Sequence, residues 1–271
     1  MPTEIWILES LPAGDTQTGT LLRDAILERS SDSKKTLTVH HRTAVNTSEF
    51  VATFDEITAS VAKGNYPILH VEAHGNEDGL GLANGELIEW KALSAPLVRL
   101  NDLLKAQLII TVAACSGGHM ARTAAESVRA PFLALLGPST EIWDNELYAD
   151  YCQFYFEFDR TRSVVNARWA LNAYKIAEQD YYFSTAMNIF TQFAQYRNAQ
   201  PESPKERWAR MAKIAARMAA KDPSIDASEM EALLVAEFPE SGAYDLQLWN
   251  IFMFIDKYPE NARIFPFSLD H

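Results

Sequence analysis

The sequence predicts an α/β fold with a mostly parallel central sheet, followed by a helical C-terminal region. Up to Gly137, apolar runs rich in β-branched residues alternate with segments whose apolar residues recur every three or four positions. Such an alternation of strands and helices is typical of parallel strands joined by crossover helices. From Trp143 onward the apolar periodicity is almost wholly that of helices.

The individual elements follow from this periodicity and from the turn residues between them. Strands are predicted at Glu4–Glu9, Leu37–His40, Ile68–Gly75, Leu108–Ala114 and Pro131–Leu136. Helices are predicted between them at Leu21–Ser30, Phe50–Val61, Leu93–Leu104 and His119–Val128. Asn84 and Gly85, flanked by apolar residues, predict a tight turn between two antiparallel strands. A small hairpin is therefore expected soon after the third strand.

The C-terminal part is predicted to be helical. Its helices are expected at Leu147–Phe158, Arg162–Ala177, Tyr181–Tyr196, Lys205–Ala220 and Ser228–Phe238, before an aromatic end at Leu246–Phe267. The segment Asn198–Pro204 is polar and contains two prolines, which is typical of a joint between domains. We therefore predict one domain at residues 1–198 and a helical region at residues 199–271, packed on it or appended to it.

Composition and charge argue against several classes of protein. The formal net charge of −12 leaves no basic surplus to neutralise phosphates, so a nucleic-acid partner is not expected. The first residues lack a cationic segment followed by an apolar core, and no apolar run approaches the length of a membrane span. The two cysteines, Cys115 and Cys152, are too few for a disulfide framework. A cytoplasmic protein without a membrane partner is expected.

Two strand ends carry the candidate chemistry. One strand ends at His74 and Gly75, and a later strand ends at Cys115, which Gly117 and Gly118 follow. Parallel strands of one sheet would bring both ends to the same edge, where α/β proteins place their sites. Cysteine attacks a carbonyl as the thiolate, and a neighbouring imidazole produces the thiolate by taking the thiol proton. The pair therefore predicts a thiol-imidazole hydrolase centre.

The surroundings of the cysteine suit the same chemistry. The amino end of the helix expected after Cys115 would place partial positive charge near the sulfur. Glycines in the turn let a substrate approach the backbone closely. The backbone amides of Gly75 and Cys115 could together form an oxyanion hole.

Other interpretations of these residues exist. A free cysteine is most often a buried, inert residue, which is our expectation for Cys152. His70, Glu72 and His74 point the same way along a strand, and with His119 they could bind a metal ion. Zinc hydrolases carry stronger motifs than this, so we predict neither a metal nor a cofactor.

The residues at the two strand ends resemble those of the caspase-like cysteine peptidases, and among these most closely the bacterial CHAT domains. The resemblance rests on a strand ending in His-Gly and a later strand ending in Ala-Cys-Ser-Gly, and it covers residues Glu4 to Ala177. A strand-terminal glycine, an acidic loop residue and a Phe-Tyr pair then follow in similar order. In this chain they are Gly137, Asp144, Phe154 and Tyr155.

The resemblance implies a three-layer caspase-like fold and assigns roles to the residues. Cys115 would be the nucleophile and His74 the general base and acid, while the Gly75 and Cys115 amides would hold the oxyanion. The hairpin after His74 would form one wall of the cleft. The enzyme would need no cofactor, and its substrate would be a protein or peptide.

Three residues are candidates for substrate binding. By resemblance, an acidic residue in the loop before the aromatic helix would favour a basic side chain next to the scissile bond. Asp144 is the first candidate, although it could instead cap that helix, and Asp15 is the second. Ala113, two residues before Cys115, stands where metacaspases have an acidic residue, which argues against a calcium-dependent enzyme of that kind.

The resemblance further implies a regulated, selective cysteine endopeptidase of a bacterial defence or cell-death pathway, which an activating partner protein could control. The alternative from a different class is a non-catalytic, caspase-like scaffold or signalling protein that acts through its helical region. The presence of both Cys115 and His74 favours the enzyme, because a scaffold needs neither.

Overall fold

One central sheet contains every strand in the described part of the chain. The computed structural model describes residues 2–30, 37–172, 181–199, 209, 212–213, 215–216, 219–220, 226 and 241–268. The strands are β1 (Glu4–Ser10), β2 (Thr38–Thr43), β3 (Pro67–Gly75), β4 (Gly79–Gly81), β5 (Leu87–Glu89), β6 (Ile109–Ala113), β7 (Ala134–Pro138) and β8 (Tyr181–Thr185). Across the sheet their order is β2-β1-β3-β6-β7-β8. Along this order all neighbours from β2 to β7 are parallel and β8 is antiparallel, while the short β4 and β5 extend from the end of β3 as an antiparallel hairpin. The predicted mostly parallel α/β sheet is therefore confirmed.

The described helices are α1 (Thr18–Ser30), α2 (Thr47–Val61), α3 (Ser94–Leu103), α4 (Ala121–Ala125), α5 (Asp144–Thr161), α6 (Val164–Asn172), α7 (Ala186–Asn198), α8 (Ser241–Phe252) and α9 (Asn261–Ile264). The first four connect the parallel strands, and the other five follow β7. Short 3₁₀ turns precede α3 and α4, at Trp90–Leu93 and Gly117–Met120. Among the described residues, no helix combines the length and the apolar character that a membrane crossing requires.

The main core lies between the sheet and the pair α1 and α5. Alternate residues of the strands, such as Ile5, Ile68 and Ile109, join the buried aromatic face of α5 in one apolar cluster. Strand side chains alternate between faces, so one face of each strand serves this cluster. The helices α2 and α3 pack on each other, and their buried residues lie outside the cluster. This arrangement fits three layers, with the sheet in the middle.

The segment Tyr181–Thr185 corrects one of the sequence predictions. We expect a helix over Tyr181–Tyr196, but its first five residues form β8, which pairs with β7 from Tyr181↔Pro138 to Thr185↔Ala134. The helix α7 begins only at Ala186. Without β8, the edge of β7 would present unpaired amide and carbonyl groups. The helical prediction is therefore wrong for this segment, because a long-range pairing partner decides its structure.

The chain divides into two compact units, Met1–Ala186 and Met187–His271. In the second unit, the buried Trp249 contacts Phe190 and donates its indole N–H to the Phe265 carbonyl at 3.1 Å. Within the helix predicted at Lys205–Ala220, the described residues 209, 212–213, 215–216 and 219–220 are helical. The helix predicted at Ser228–Phe238, the end of Arg162–Ala177 and most of the joint Asn198–Pro204 lie outside the described residues. A domain boundary after residue 198 stays a prediction.

Candidate active site

The ends of β3 and β6 bring His74 and Cys115 next to each other. The two strands are parallel neighbours whose last paired residues are Glu72 and Ala113, so His74 and Cys115 each follow two residues later. The backbones also touch, since a β-carbon on Gly75 would lie 2.4 Å from the Cys115 carbonyl oxygen. Both side chains reach solvent, with His74 exposed and Cys115 partly so. The two predicted strand ends therefore meet at one edge of the sheet.

His74 has a carboxylate partner. Its Nε2 lies 2.7 Å from Oδ2 of Asp15, which belongs to the loop between β1 and α1. An anion on Nε2 favours the proton on that nitrogen and leaves Nδ1 to accept another proton. Asp15 is predicted from the sequence as a substrate-binding residue, and sequence reasoning missed this contact. The only sequence signal is that the Asp15 loop, like His74, follows a predicted strand.

A sharp turn follows Cys115. The thiol donates a weak hydrogen bond to the Ile142 carbonyl, with Sγ and oxygen 3.7 Å apart. Ser116 has a left-handed backbone, with φ 57°, and its amide donates to the Thr140 carbonyl at 3.1 Å. Gly117 admits no side chain, because a β-carbon there would lie 2.8 Å from Cγ1 of Val112. The turn thus holds the cysteine against the loop that precedes α5.

The helix after this turn is shorter than its prediction. Residues Gly117–Met120 form a 3₁₀ turn, and α4 ends at Ala125 rather than near Val128. The dipole of so short a helix is small, because it sums few aligned peptide units. Positive potential at the sulfur therefore depends less on α4 than the sequence analysis expects.

Gly75 lies between β4 and the end of β6. It pairs with Leu80 of β4, and a β-carbon on it would lie 2.4 Å from the Cys115 carbonyl oxygen. The hairpin lies on the β1 side, since the Ala83 amide donates to Oγ of Ser10. An oxyanion hole formed by the Gly75 and Cys115 amides stays a prediction.

Gly75→Ala tests how closely these strand ends fit. The added methyl would meet backbone atoms of Cys115, which cannot move aside like a flexible side chain. We expect the free energy of unfolding to fall by about 1–3 kcal/mol, as for other overpacked sites. Chemical denaturation of both proteins measures the difference.

Gly14→Ala is the control for this substitution. Nothing lies within 4 Å of a β-carbon at Gly14, so its effect should stay within about 0.5 kcal/mol. A Gly75→Ala protein as stable as the Gly14→Ala protein would contradict the close fit.

The other two candidates for substrate binding lie in different surroundings. Asp144 is exposed in the first turn of α5, two residues after Ile142, whose carbonyl contacts the Cys115 thiol. Its Oδ1 accepts the neighbouring Asn145 amide at 3.1 Å. Ala113 is buried in the apolar core cluster, with 1% of its surface exposed. Asp144 is therefore accessible to a substrate, whereas the methyl group of Ala113 is covered by the core.

The alternative metal ligands are engaged elsewhere. His70 is fully buried, with Nε2 2.8 Å from Oε2 of Glu72 and Nδ1 2.7 Å from Oγ1 of Thr111. His119 lies near the Glu77 carbonyl, at 3.4 Å from its Nδ1. Within the described ranges, no group of three or more His, Cys, Asp and Glu residues is arranged to hold a metal ion. Both nitrogens of His70 thus have protein partners.

The hairpin predicted after His74 is confirmed. The strands β4 and β5 pair in antiparallel fashion, with Leu80 opposite Ile88. Gly85 has φ +87°, the left-handed conformation that the Asn-Gly turn demands. Because His74 itself pairs with Gly81, the histidine lies at the base of this hairpin.

Fold and site together define an α/β protein with a cysteine, a histidine and an aspartate at the carboxyl edge of its sheet. No family model and no curated protein matches the chain. Among solved structures, it is similar to a secreted C11 cysteine protease from Bacteroides thetaiotaomicron in complex with an irreversible peptide inhibitor. The TM-score is 0.48 and the identity 9%, over 72% of this chain and 69% of that one.

A second similar structure is an inactive zymogen C11 protease from Parabacteroides distasonis. Its TM-score is 0.45 and its identity 13%, over 71% of this chain and 65% of that one. The second match thus spans slightly less than two thirds of the zymogen chain.

Proposed function

We propose that the chain is a cysteine endopeptidase with Cys115 as nucleophile and His74 as general base and acid. The observation that carries the proposal is the meeting of these residues at adjacent strand ends, with Asp15 on the far nitrogen of the histidine. A nucleophile, a base and a group that orients the base are the parts that covalent catalysis at a carbonyl needs. All three side chains are at least partly exposed to solvent.

The first half of the reaction forms a thioester. Nδ1 of His74 takes the proton from Cys115 Sγ, and the thiolate attacks the peptide carbonyl carbon. The carbonyl oxygen becomes an oxyanion that the amides of Gly75 and Cys115 stabilise. As the C–N bond breaks, the Nδ1 proton passes to the leaving amine. Asp15 keeps the other proton on Nε2 and stabilises the transient imidazolium.

The second half returns the enzyme to its starting state. Water loses a proton to Nδ1 of His74 and attacks the thioester carbon. The C–S bond then breaks, the carboxylic acid product leaves, and the proton on Nδ1 returns to the sulfur of Cys115. These steps use groups of this chain and one water molecule.

Covalent labelling tests the proposal. Peptidyl acyloxymethyl ketones with varied residues next to the reactive group should modify Cys115, as mapped by mass spectrometry, and Cys115→Ala should remove the label. If no probe labels the chain, either alone or with cell extract as a source of activators, the assignment as an enzyme is overturned. The interpretation as a non-catalytic scaffold is then favoured. The finer predictions from the sequence, namely a CHAT-type enzyme, a defence or cell-death role, an activating partner and a cytoplasmic location, stay predictions.

The proposed substrate carries a basic residue next to the scissile bond. Asp144 is exposed beside the loop that contacts Cys115, and Glu141 and Glu146 are exposed close to it along the chain. A cationic side chain bound beside this loop would therefore meet three acidic side chains. Asp15 is less suited to this role, since His74 already engages its carboxylate.

Asp144→Asn tests the preference for a basic residue. We expect KM for a peptide with arginine at the scissile bond to rise about fivefold, the effect of losing one exposed ion pair. KM for the matching citrulline peptide, which has the same shape without the charge, should not change. Glu157→Gln, near the opposite end of α5 and paired with Arg160, serves as the control. Equal changes in both variants, or in both peptides, would contradict a specific role of Asp144.

A further inference from the structure

Two buried carboxylates lie side by side beneath the loop that carries Asp15. Glu9 on β1 and Glu72 on β3 are paired residues of adjacent strands, with 1% and 4% of their surfaces exposed. Buried carboxylates lose their hydration, so they are stable only with strong hydrogen-bond donors. The donors therefore show what these carboxylates hold in place.

The donors come from the first turn of α1. Oε1 of Glu9 accepts the amides of Gly19 and Thr20 at 2.7 and 3.2 Å, and its Oε2 accepts the Thr20 hydroxyl at 2.9 Å. Oε1 of Glu72 accepts the hydroxyl of Thr18. Side chains of the two strands thus accept hydrogen bonds from three successive residues at the start of α1.

On the sheet, each of the two carboxylates also has a histidine as a hydrogen-bond partner. Nε2 of His41 lies 2.9 Å from Oε2 of Glu9, and Nε2 of His70 lies 2.8 Å from Oε2 of Glu72. Burial alone would raise the pKa of Glu9, but the hydrogen bonds from His41 and from α1 outweigh it and hold this pKa below its ordinary value. Glu9 therefore remains an ionised acceptor for the helix amides.

The loop between β1 and α1 is held by the hydrogen bonds of the first turn of α1 to Glu9 and Glu72, and by hydrogen bonds within the loop itself. The Asp15 amide donates to the Pro12 carbonyl at 3.0 Å. Nε2 of Gln17 donates to the carbonyls of Pro12 and Asp15 at 2.9 and 3.2 Å. Only two residues separate Asp15 from Thr18, which is hydrogen-bonded to Glu72. The backbone at Asp15 is therefore restrained, and this keeps its carboxylate close to His74.

We infer that Glu9 and Glu72, acting through Thr18 and the first turn of α1, are positioning residues for the Asp15–His74 pair. The inference deepens the proposed function and rests on it for its catalytic consequence. The carboxylates hold the start of α1, the helix start fixes the loop, and the loop presents Asp15 to Nε2 of His74. Misplacing a catalytic group by about 1 Å slows a reaction severely.

Thr18→Val tests the inference with the smallest change, because it removes the hydroxyl and keeps the shape. We expect kcat on a peptide substrate and the rate of Cys115 alkylation by iodoacetamide to fall about tenfold, with KM within about a factor of two. The ¹⁵N spectrum of the His74 imidazole should lose part of its Nε2–H form. Amide hydrogen exchange of residues 12–17 should accelerate. Thr18→Ser, which restores the hydroxyl, should recover all four quantities.

Thr53→Val is the matched control. Thr53 is also a buried threonine, but its hydroxyl bonds to the Glu49 carbonyl within α2, away from the loop. An equal fall in both valine variants, or a Thr18→Val protein with wild-type rates, spectrum and exchange, would overturn the inference. A wild-type chain that cleaves no peptide would overturn the proposed function instead. In that case the spectrum and the exchange rates still decide whether Glu9 and Glu72 position Asp15 through the start of α1.

Discussion

Cys115→Ala is expected to abolish peptide cleavage, with kcat falling by at least about 10⁴-fold. The only other cysteine in the sequence, Cys152, is buried in α5, so the covalent route ends without Cys115. What remains would be the small contribution of oxyanion stabilisation and substrate binding. The measurement is cleavage of a quenched fluorescent peptide, together with mass-spectrometric mapping of a peptidyl acyloxymethyl ketone.

Cys152→Ala is the control because it removes the only other thiol in the sequence. Cys152 is buried in α5 with 7% of its surface exposed, and burial raises the pKa of its thiol. Its thiolate is therefore scarce and shielded from probes. We expect this variant to be labelled and active like the wild type. Label on Cys152, or cleavage that survives Cys115→Ala, would contradict the assignment of the nucleophile.

The adjacency of the strand ends that carry His74 and Cys115 could be predicted from the sequence for a physical reason. Buried parallel strands are continuous apolar runs, and their carboxyl ends share one edge of the sheet. The ends of two such runs are therefore neighbours whenever the strands are neighbours, whatever lies between them in the chain. The hairpin was predictable as well, because Asn84-Gly85 encodes a local backbone conformation.

The contact of Asp15 with His74 and the strand β8 could not be predicted from the sequence. The loop that carries Asp15 has no periodicity, and its conformation depends on buried partners more than fifty residues away, as in the bond between Thr18 and Glu72. The segment Tyr181–Thr185 forms a strand because the edge of β7 is open to it. In both cases long-range contacts decide the structure, and local pattern does not report them.

Asp15→Asn is expected to lower kcat by roughly 10²-fold or more while leaving the fold intact. The Asp15 carboxylate can only accept a hydrogen bond, so it requires the proton of His74 on Nε2. An asparagine amide can donate to Nε2 and thereby favour the tautomer with the proton on Nδ1. That tautomer cannot take the thiol proton of Cys115. The pair is also well exposed, at 62% for His74 and 41% for Asp15, so its loss should change stability by no more than about 1 kcal/mol.

Asp78→Asn separates this effect from a general loss of negative charge. Asp78 is exposed in the turn that follows His74, and its side chain is not the partner of the imidazole. We expect nearly wild-type kcat for Asp78→Asn, and for Asp15→Asn a slow enzyme whose His74 ¹⁵N spectrum has moved toward the Nδ1–H form. A fall in kcat without that spectral change would mean that Asp15 acts on the substrate, as the sequence predicts, because only a partner of the imidazole alters where its proton lies.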